Sequence, residues 1–352
     1  MRRRTLLLPL VPIYAAIVRW KRRMFAEGRL RSRSLDDVVI SVGSVSAGGA
    51  GKTPVVLLLA KMLSRRGYAV RILTRGYGRR AGYGWGSRLV ERVDPAGDAG
   101  RFGDEPVLLA RRSGVPVYVG ADRYRAGRLA EGLRDERFRG SRQVVYLLDD
   151  GFQHRQLKRD LDLVLLTRKD VEDVLLPAGD LREPLSTLGD ADVVVLREDE
   201  AASLGELLAG LKQGAGSQPV WVVRRRLNLI TAGGGRLPMR PLVFCGIARP
   251  EGFLSMLEAE GLRPAATVIF GDHHGYRERD VDRLVERAKA AGADGFVTTE
   301  KDAVKLTAAM RGRMERVGPL VVPELEVELG DERAALQQMI ALVPRLDRRR
   351  NR

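Results

Sequence analysis

The chain has 352 residues, which is enough for two α/β domains and more than one small domain needs. Cys245 is its single cysteine, which excludes an internal disulfide and is typical of a reducing compartment, and the apolar run at 242–245 predicts a buried, inert thiol. The net charge of +16 is concentrated at the ends, since residues 1–35 hold ten Lys or Arg against one acid and residues 344–352 hold five Arg against one acid. Basic ends on a nearly balanced body indicate contact with an anionic membrane or with a nucleic acid.

The amino-terminal segment favours the membrane. Residues 5–18 carry no charge, are mostly apolar, and lie between the arginines at 2–4 and a basic cluster at 19–23 that contains Trp20. The run is short for a membrane span. Positive charge after it opposes export, and no small-residue cleavage site follows, which argues against a cleaved signal peptide. We expect residues 1–23 to form a membrane anchor or interfacial helix at an anionic cytoplasmic surface, with a buried core helix as the alternative.

Strands and helices alternate along the next part of the chain. Short β-branched or apolar runs predict strands at residues 38–42, 69–73, 115–119, 144–148, 163–166 and 193–196. Helical spacing of apolar residues predicts helices at residues 52–66, 105–112 and 123–134, and a long Gly-, Arg- and Tyr-rich loop is expected at residues 75–101. This alternation predicts a parallel sheet with helices on both faces.

A second α/β unit is predicted after residue 240. Extended pieces at 219–223 and 227–231 and the turn Gly233-Gly234-Gly235 are interpreted as a β linker. Strands are then predicted near 241–247, 266–270 and 295–298, with a helix near 280–290. The predicted organisation is therefore an amino-terminal segment, a large α/β domain, a short β linker and a second, smaller α/β domain, at residues 1–23, 24–218, 219–239 and 240–352.

A glycine-rich loop joins the first strand to the first helix. Its residues are Ser46-Ala47-Gly48-Gly49-Ala50-Gly51-Lys52-Thr53. Such a loop cradles phosphates with its backbone N–H groups, while Lys52 would reach the β- and γ-phosphates and Thr53 would ligate Mg²⁺. Ser46 departs from the pattern, because glycine usually stands there. The loop predicts a P-loop NTPase-like domain that binds a nucleoside triphosphate, but it does not choose between a kinase, an ATPase and a GTPase.

Two carboxylates follow the strand at 144–148. Asp149 and Asp150 would lie at the open, carboxyl edge of the sheet, where ligands bind, and Asp149 is a candidate Mg²⁺ ligand. Gly151-Phe152-Gln153-His154 comes next, and a solvated turn is the alternative interpretation of residues 149–154.

These residues resemble the tetraacyldisaccharide 4′-kinase family, the lipid A kinases of the inner membrane. The string Asp149-Asp150-Gly151-Phe152-Gln153-His154 carries the resemblance together with the variant glycine loop and Pro54. Further stretches agree in chain order: Thr74-Arg75-Gly76-Tyr77-Gly78, Gly103-Asp104-Glu105-Pro106, Leu181-Arg182-Glu183-Pro184, Asp272-His273-His274 and Thr299-Glu300-Lys301-Asp302. The resemblance implies two α/β domains joined by a small β linker, with the active site between them. It also implies ATP-dependent phosphorylation of the 4′-hydroxyl of a lipid A disaccharide 1-phosphate, giving lipid IVA.

The resemblance assigns roles to individual residues. Asp104 would be the base that orients the sugar hydroxyl, His273 would pair with it from the second domain, and Asp150 would take part in catalysis. Thr53, Asp149 and Glu105 would hold Mg²⁺. Candidates for contact with substrate or phosphate are Arg75, Tyr77, Gln153, His154 and Arg182, with Arg79 as a further candidate.

Structural alternatives stay open for several of these residues. Asp104 could simply cap a helix, the histidines at 273 and 274 could be a solvated loop pair, and the arginines could be surface charge. No cysteine or third histidine has zinc-ligand spacing beside His273. The roles of Glu300, Lys301 and Asp302 are not assigned by the sequence.

Two other functions compete with the kinase. A cargo-moving P-loop ATPase or GTPase could carry a similar loop, but such proteins usually lack an apolar basic anchor before it. A nucleic-acid-binding ATPase would suit the net charge, but the charge lies at the membrane-like ends and aromatic residues are few. The expected partners are the lipid substrate and an anionic membrane surface, with no nucleic acid and no obligate protein partner, and the expected location is the cytoplasmic side of the inner membrane.

Overall fold

The computed structural model describes residues 4–77, 79, 89–133, 143–211, 218–229 and 237–351. Some predicted features lie outside this part of the chain: the arginines at 2 and 3, Gly78 and residues 80–88 of the predicted loop, Arg134, and the turn Gly233-Gly234-Gly235 with the rest of 230–236.

Two sheets organise the described residues. The strands are β1 (Val38–Ser44), β2 (Ala69–Thr74), β3 (Glu91–Arg92), β4 (Val117–Val119), β5 (Val144–Asp149), β6 (Leu161–Leu166), β7 (Val193–Arg197), β8 (Val220–Asn228), β9 (Leu242–Cys245), β10 (Ala266–Ile269), β11 (Phe296–Thr298), β12 (Leu320–Val321) and β13 (Glu324–Leu329). Within the described ranges, a nine-stranded sheet has the order β13-β8-β7-β6-β1-β5-β2-β4-β3 and a four-stranded sheet has the order β10-β9-β11-β12. The large sheet is parallel except for its two edge strands, β13 and β3, and the small sheet is parallel throughout.

Helices cover the sheets. They are α1 (Val11–Ala26), α2 (Lys52–Arg65), α3 (Ala99–Phe102), α4 (Asp104–Ser113), α5 (Arg123–Gly132), α6 (Arg168–Glu172), α7 (Glu198–Leu211), α8 (Pro250–Ala259), α9 (Glu278–Ala290), α10 (Glu300–Ala303), α11 (Ala308–Glu315) and α12 (Glu332–Leu342). Short 3₁₀ helices lie at Thr5–Leu10, Leu185–Asp190 and Pro344–Asn351. The strands and helices predicted for the two α/β units are present with small shifts at their ends.

The large sheet is buried on both faces. Successive side chains of a strand point to opposite faces, so the side chains of one strand enter two different cores. Along β5, Val145 and Leu147 join the core that contains α2, whereas Tyr146 and Leu148 join the core that contains α5. Strand β1 is buried along its whole length. A continuous apolar run rather than an alternating one is therefore what the fold requires at the centre of the sheet.

The chain leaves the large sheet and then returns to it. Strand β8 pairs with β7, so residues 220–228 extend the large sheet as one strand rather than forming the two separate linker pieces expected at 219–223 and 227–231. Strand β13 pairs antiparallel with β8, and α12 then buries Leu336 and Met339 in the core of the large sheet. The predicted second unit, 240–352, therefore ends in a segment, β13 and α12, that pairs and packs with the large sheet.

The amino-terminal helix α1 lies on the surface of the first unit. The Tyr14 hydroxyl donates to the backbone oxygen of Arg182 at 3.1 Å, and Arg22 pairs with Asp190 at 2.6 Å. Its other side exposes large apolar side chains, among them Ile13 at 58% and Trp20 at 61%. None of the helices in the described residues has the length and apolar character needed to cross a membrane.

Candidate active site

The candidate site lies at the carboxyl edge of the large sheet. Strand β1 has β5 on one side and β6 on the other, so the chain order reverses there. Val42 is in register with Asp149, which brings the start of the loop after β1 beside the acidic end of β5. Crevices at such reversals are where open α/β sheets bind ligands.

The glycine loop has the backbone expected for close approach of a ligand. Gly48, Gly49 and Gly51 have φ of +72°, +67° and +89°, a region that side chains disfavour. Lys52 begins α2, and its ammonium group donates to Ser44 Oγ at 3.2 Å and lies 3.3 Å from Asp150 Oδ1. The loop therefore presents a helix amino terminus and one lysine to the edge of the sheet.

The two adjacent carboxylates have opposite electrostatic environments. Asp149 is buried and accepts a hydrogen bond from Thr74 Oγ1 at 2.9 Å. Burial raises the pKa of Asp149, and the negative charges of Glu105 and Asp150 raise it further. Burial would also raise the pKa of Asp150, but Lys52 and Arg182 outweigh it and keep that pKa well below the usual range.

Asp150 also has an unusual backbone. Its φ is +52°, and His273 is the other described non-glycine residue with positive φ, at +56°. Such conformations persist where the surroundings enforce them, often at functional sites. The side chain of Asp150 is held by Arg182 Nη1, which donates to Oδ2 at 2.7 Å.

A basic cleft of about 240 Å³ opens beside Asp150. Its lining residues come from α1, from the ends of β2, β4 and β5, and from the segment around Arg182: Lys21, Phe25, Arg75, Ala121, Arg123, Asp150, Gln153, His154, Arg155, Gln156 and Arg182. Gln153 donates to the backbone oxygen of Ser44 at 2.7 Å, which ties the cleft to β1. The cleft thus contains four of the five residues expected to contact substrate or phosphate.

Arg123 is a cleft residue that the sequence analysis missed. It is 5% exposed, and burial together with the charge of Arg75 lowers its pKa to about 10. Burial and the charge of Arg123 also lower the pKa of His154 to about 3, so this imidazole is neutral. The sequence did contain a signal for Arg123. This residue follows the strand at 115–119, which places it at the same sheet edge as Asp149.

Tyr77 and Arg79, two further candidates for contact with substrate or phosphate, lie outside the basic cleft. The Tyr77 ring is 4.9 Å from the His273 ring, centroid to centroid, so it lies with the second unit rather than in the basic cleft. Arg79 is buried and pairs with Glu91 at 2.7 Å. Because that ion pair fastens the loop after β2 to β3, we assign Arg79 a structural role.

Asp104 and His273 meet across the two units. His273 Nδ1 lies 2.9 Å from Asp104 Oδ2, and Asp104 is 5% exposed. Burial raises the pKa of Asp104, but the hydrogen bond and the charge of His273 outweigh it, so the pKa is lowered overall. The same hydrogen bond raises the pKa of His273. By contrast, His274 stacks on Phe270 at 4.5 Å, inside the second unit.

The second unit supplies further cations to this site. Lys301 pairs with Glu105, and Lys305 Nζ lies 3.8 Å from Asp104 Oδ2. Arg249 was also missed by the sequence analysis. A Cβ on Gly49 would lie 2.7 Å from Arg249 Nε, so this side chain lies directly against the glycine loop.

Mg²⁺ was expected at Thr53, Asp149 and Glu105. The described residues contain no group of three or more His, Cys, Asp or Glu side chains that could hold a metal ion. However, Asp149 is buried with Glu105 and Asp150 near it, and this crowding of negative charge fits a cation. Two carboxylates, one hydroxyl and substrate phosphates are a donor set typical of Mg²⁺ rather than of a closed all-protein site.

The comparisons with known proteins identify the family. A sequence model described as tetraacyldisaccharide-1-P 4′-kinase matches residues 3–343. The chain belongs to the tetraacyldisaccharide-1-P 4′-kinase family. A tetraacyldisaccharide 4′-kinase of Koribacter versatilis is 38% identical over 344 residues, covering 96% of this chain and 98% of the relative. One from Geobacter metallireducens is also 38% identical, over 342 residues, covering 90% and 92%.

The fold agrees with the tetraacyldisaccharide-1-P 4′-kinase family. A crystal structure of LpxK from Aquifex aeolicus in complex with ATP matches with a TM-score of 0.71 and 29% identity, covering 97% of this chain and 99% of the other. The predicted α/β fold with a large, mostly parallel sheet is therefore confirmed, and so is the predicted family.

Proposed function

We propose that the protein transfers the γ-phosphate of ATP to the 4′-hydroxyl of a tetraacylated disaccharide 1-phosphate, giving the bisphosphorylated lipid A precursor lipid IVA. The observation that carries this proposal is the Asp104–His273 contact between the two units, near the sheet edge that presents Lys52. Membership of the tetraacyldisaccharide-1-P 4′-kinase family makes the chain a lipid-sugar kinase.

ATP would bind with its phosphates on the glycine loop, which we propose to be a P-loop. The loop follows β1 and ends at Gly51, the N-cap of α2, and Lys52 supplies a positive charge for the β- and γ-phosphates. Thr53, Asp149 and Glu105 would hold Mg²⁺, which when bound neutralises charge on the phosphates. Lys52 also pairs with Asp150, so this carboxylate positions the lysine.

Asp104 would orient the sugar hydroxyl and accept its proton. In the transfer, the hydroxyl oxygen bonds to the γ-phosphorus, the bond from that phosphorus to the β-phosphate oxygen breaks, and the hydroxyl proton passes to Asp104. Because its pKa is lowered, Asp104 is ionised and ready to accept a hydrogen bond at neutral pH. His273 holds the carboxylate at 2.9 Å and comes from the other unit, so chemistry requires the two units to be in contact.

The basic cleft is the proposed site for the 1-phosphate of the substrate. Arg75, Arg123 and Arg182 converge there, and guanidinium groups suit phosphate oxygens. Lys21 and Phe25 of α1 form another wall. The same helix that carries the exposed apolar residues therefore reaches the place where a lipid headgroup would enter.

The membrane location is part of the proposal. Helix α1 exposes Ile13, Ile17 and Trp20, and basic residues follow at its carboxyl end. An amphipathic helix of this kind lies in the interface of an anionic bilayer. We therefore place the protein on the cytoplasmic side of the inner membrane, with α1 lying on the bilayer beside the cleft.

Variants at the glycine loop test the proposal. Lys52→Ala and Asp149→Ala should abolish phosphate transfer to the disaccharide while the proteins stay folded, because one removes charge at the phosphates and the other a Mg²⁺ ligand. Lys61→Ala, at an exposed position on the same helix α2, is the matched control and should keep its turnover. Near-normal transfer by a folded Lys52→Ala protein would contradict the assignment.

A further inference from the structure

The segment Thr299–Lys305 contacts the candidate base from the second unit. Thr299 follows β11 and caps α10 by accepting the Asp302 N–H at 3.2 Å. Asp302 is fully buried and accepts hydrogen bonds from the Gly246 N–H at 2.9 Å and the Thr299 hydroxyl at 2.6 Å. These bonds fix Asp302 to the carboxyl end of β9, so its second oxygen has a defined position.

Lys305 links this fixed carboxylate to Asp104. Its ammonium group lies 2.9 Å from Asp302 Oδ1 and 3.8 Å from Asp104 Oδ2, and its side chain is 10% exposed. The ammonium is also 5.6 Å from the centre of the Tyr276 ring. A buried ammonium group needs partners of opposite charge, and here they are Asp302 in the second unit and Asp104 in the first.

The two oxygens of Asp104 are held from different sides. Oδ1 accepts the N–H of Glu105 at 2.9 Å, at the start of its own helix. Oδ2 faces the second unit, where His273 Nδ1 is at 2.9 Å and Lys305 Nζ is at 3.8 Å. Lys301, from the same segment as Lys305, forms an ion pair with Glu105 and not with Asp104.

We propose that Lys305 is a positioning residue for phosphoryl transfer, which holds the Asp104 carboxylate beside His273 when the second unit lies against the first. Asp302 in turn holds Lys305. The segment Thr299–Lys305 therefore places the Asp104 carboxylate only when the two units are in contact. The inference rests on the proposed function.

The experiment compares substitutions at Lys305 with a matched change in the same interface. Lys305→Met keeps the length of the side chain and removes its charge, and Lys305→Arg keeps the charge. Arg112 also lies on α4, contacts Glu300, and pairs with Glu324 at 3.2 Å. Arg112→Met therefore removes one ion pair between α4 and α10 while the partners of Asp104 stay in place. Turnover, KM for ATP and thermal midpoint are measured for each protein with ATP and the disaccharide 1-phosphate.

Lys305→Met should lower turnover about 10- to 100-fold, because misplacement of a reacting group is costly, while KM for ATP stays within about twofold. Lys305→Arg should recover most of the lost turnover. Arg112→Met should lower the thermal midpoint but keep turnover within about threefold. If Lys305→Met does not fold, Lys305→Gln is held to the same criteria.

Unchanged turnover in a folded Lys305→Met protein would overturn the inference. So would equal turnover losses in Lys305→Met and Arg112→Met, because Lys305 would then be only a tie between the units. Absence of transfer by the wild-type protein would instead overturn the proposed function.

Discussion

Simultaneous removal of Asp104 and His273 is the sharpest perturbation of the proposed base. Their 2.9 Å contact is charge-assisted, and Asp104 is 5% exposed, so water does not readily replace either partner. A general base contributes about 10²- to 10⁴-fold to turnover, so Asp104→Ala and His273→Ala should each lose an amount in this range. If the two act as a unit, the double variant should lose little more than the more damaging single variant. The coupling free energy would then be about 3 kcal/mol or more, since each factor of ten is about 1.4 kcal/mol.

The assay measures turnover at saturating ATP and, separately, ATP binding by calorimetry. ATP affinity should change little, because the pair is proposed to act on the sugar hydroxyl. Asp272→Ala is the control: its exposed carboxylate lies 3.8 Å from His273 Nε2, and its turnover should stay within about threefold. If the turnover loss of the double variant equals the product of the two single losses, Asp104 and His273 act independently and the proposed pair is refuted. A large loss of ATP affinity in Asp104→Ala would place this carboxylate with the phosphates and the metal instead.

Three further predictions follow from the fold and the cleft. Deleting residues 1–23 should weaken cosedimentation with anionic phospholipid vesicles, because α1 carries the exposed apolar face; undiminished binding would place the membrane contact elsewhere. The pKa of His154 is lowered to about 3. Below pH 6.5 the unfolded chain therefore binds a proton at His154 that the folded chain does not bind. The contribution of the neutral His154 to the free energy of unfolding is thus present above pH 6.5 and is lost progressively below it. Between pH 6.5 and 5.5, urea unfolding should show a loss about 1 kcal/mol greater for wild type than for His154→Gln, and equal losses would contradict the buried neutral imidazole. Gly43→Ala should destabilise by about 1–3 kcal/mol, because its Cβ would lie 2.4 Å from the Cβ of Phe152, whereas Gly205→Ala on a helix with open space should not destabilise; equal thermal midpoints for the two variants would contradict this packing.

Local pattern was sufficient to predict the parallel core of the fold. The strands at 38–42 and 144–148 are buried apolar runs next to strong turn and helix signals, so their type could be inferred from the sequence. The return of β13 to β8 was not predictable in this way. Residues 324–329 alternate polar and apolar side chains like any half-buried edge strand, and their partner is about 100 residues earlier in the chain.

The candidate site was predictable in part for a similar reason. Lys52 and Asp149 belong to local motifs whose spacing carries the chemistry. Arg249 and Lys305 act across the contact between the two units, and a single sequence contains no spacing that records such a contact. The partnership of Asp104 with His273 likewise came from family resemblance, not from their separation in the chain.

The proposed reaction transfers the γ-phosphate of ATP to the 4′-hydroxyl of the lipid-linked disaccharide. The most direct measurement incubates the purified protein with γ-labelled ATP, Mg²⁺ and tetraacyldisaccharide 1-phosphate, followed by analysis of the lipid by mass spectrometry and ³¹P NMR. We predict a labelled bisphosphate whose new phosphate is bonded to the 4′-oxygen, and its formation should be lost in Lys52→Ala. Release of the label as free phosphate with the disaccharide unchanged would contradict transfer to the 4′-hydroxyl.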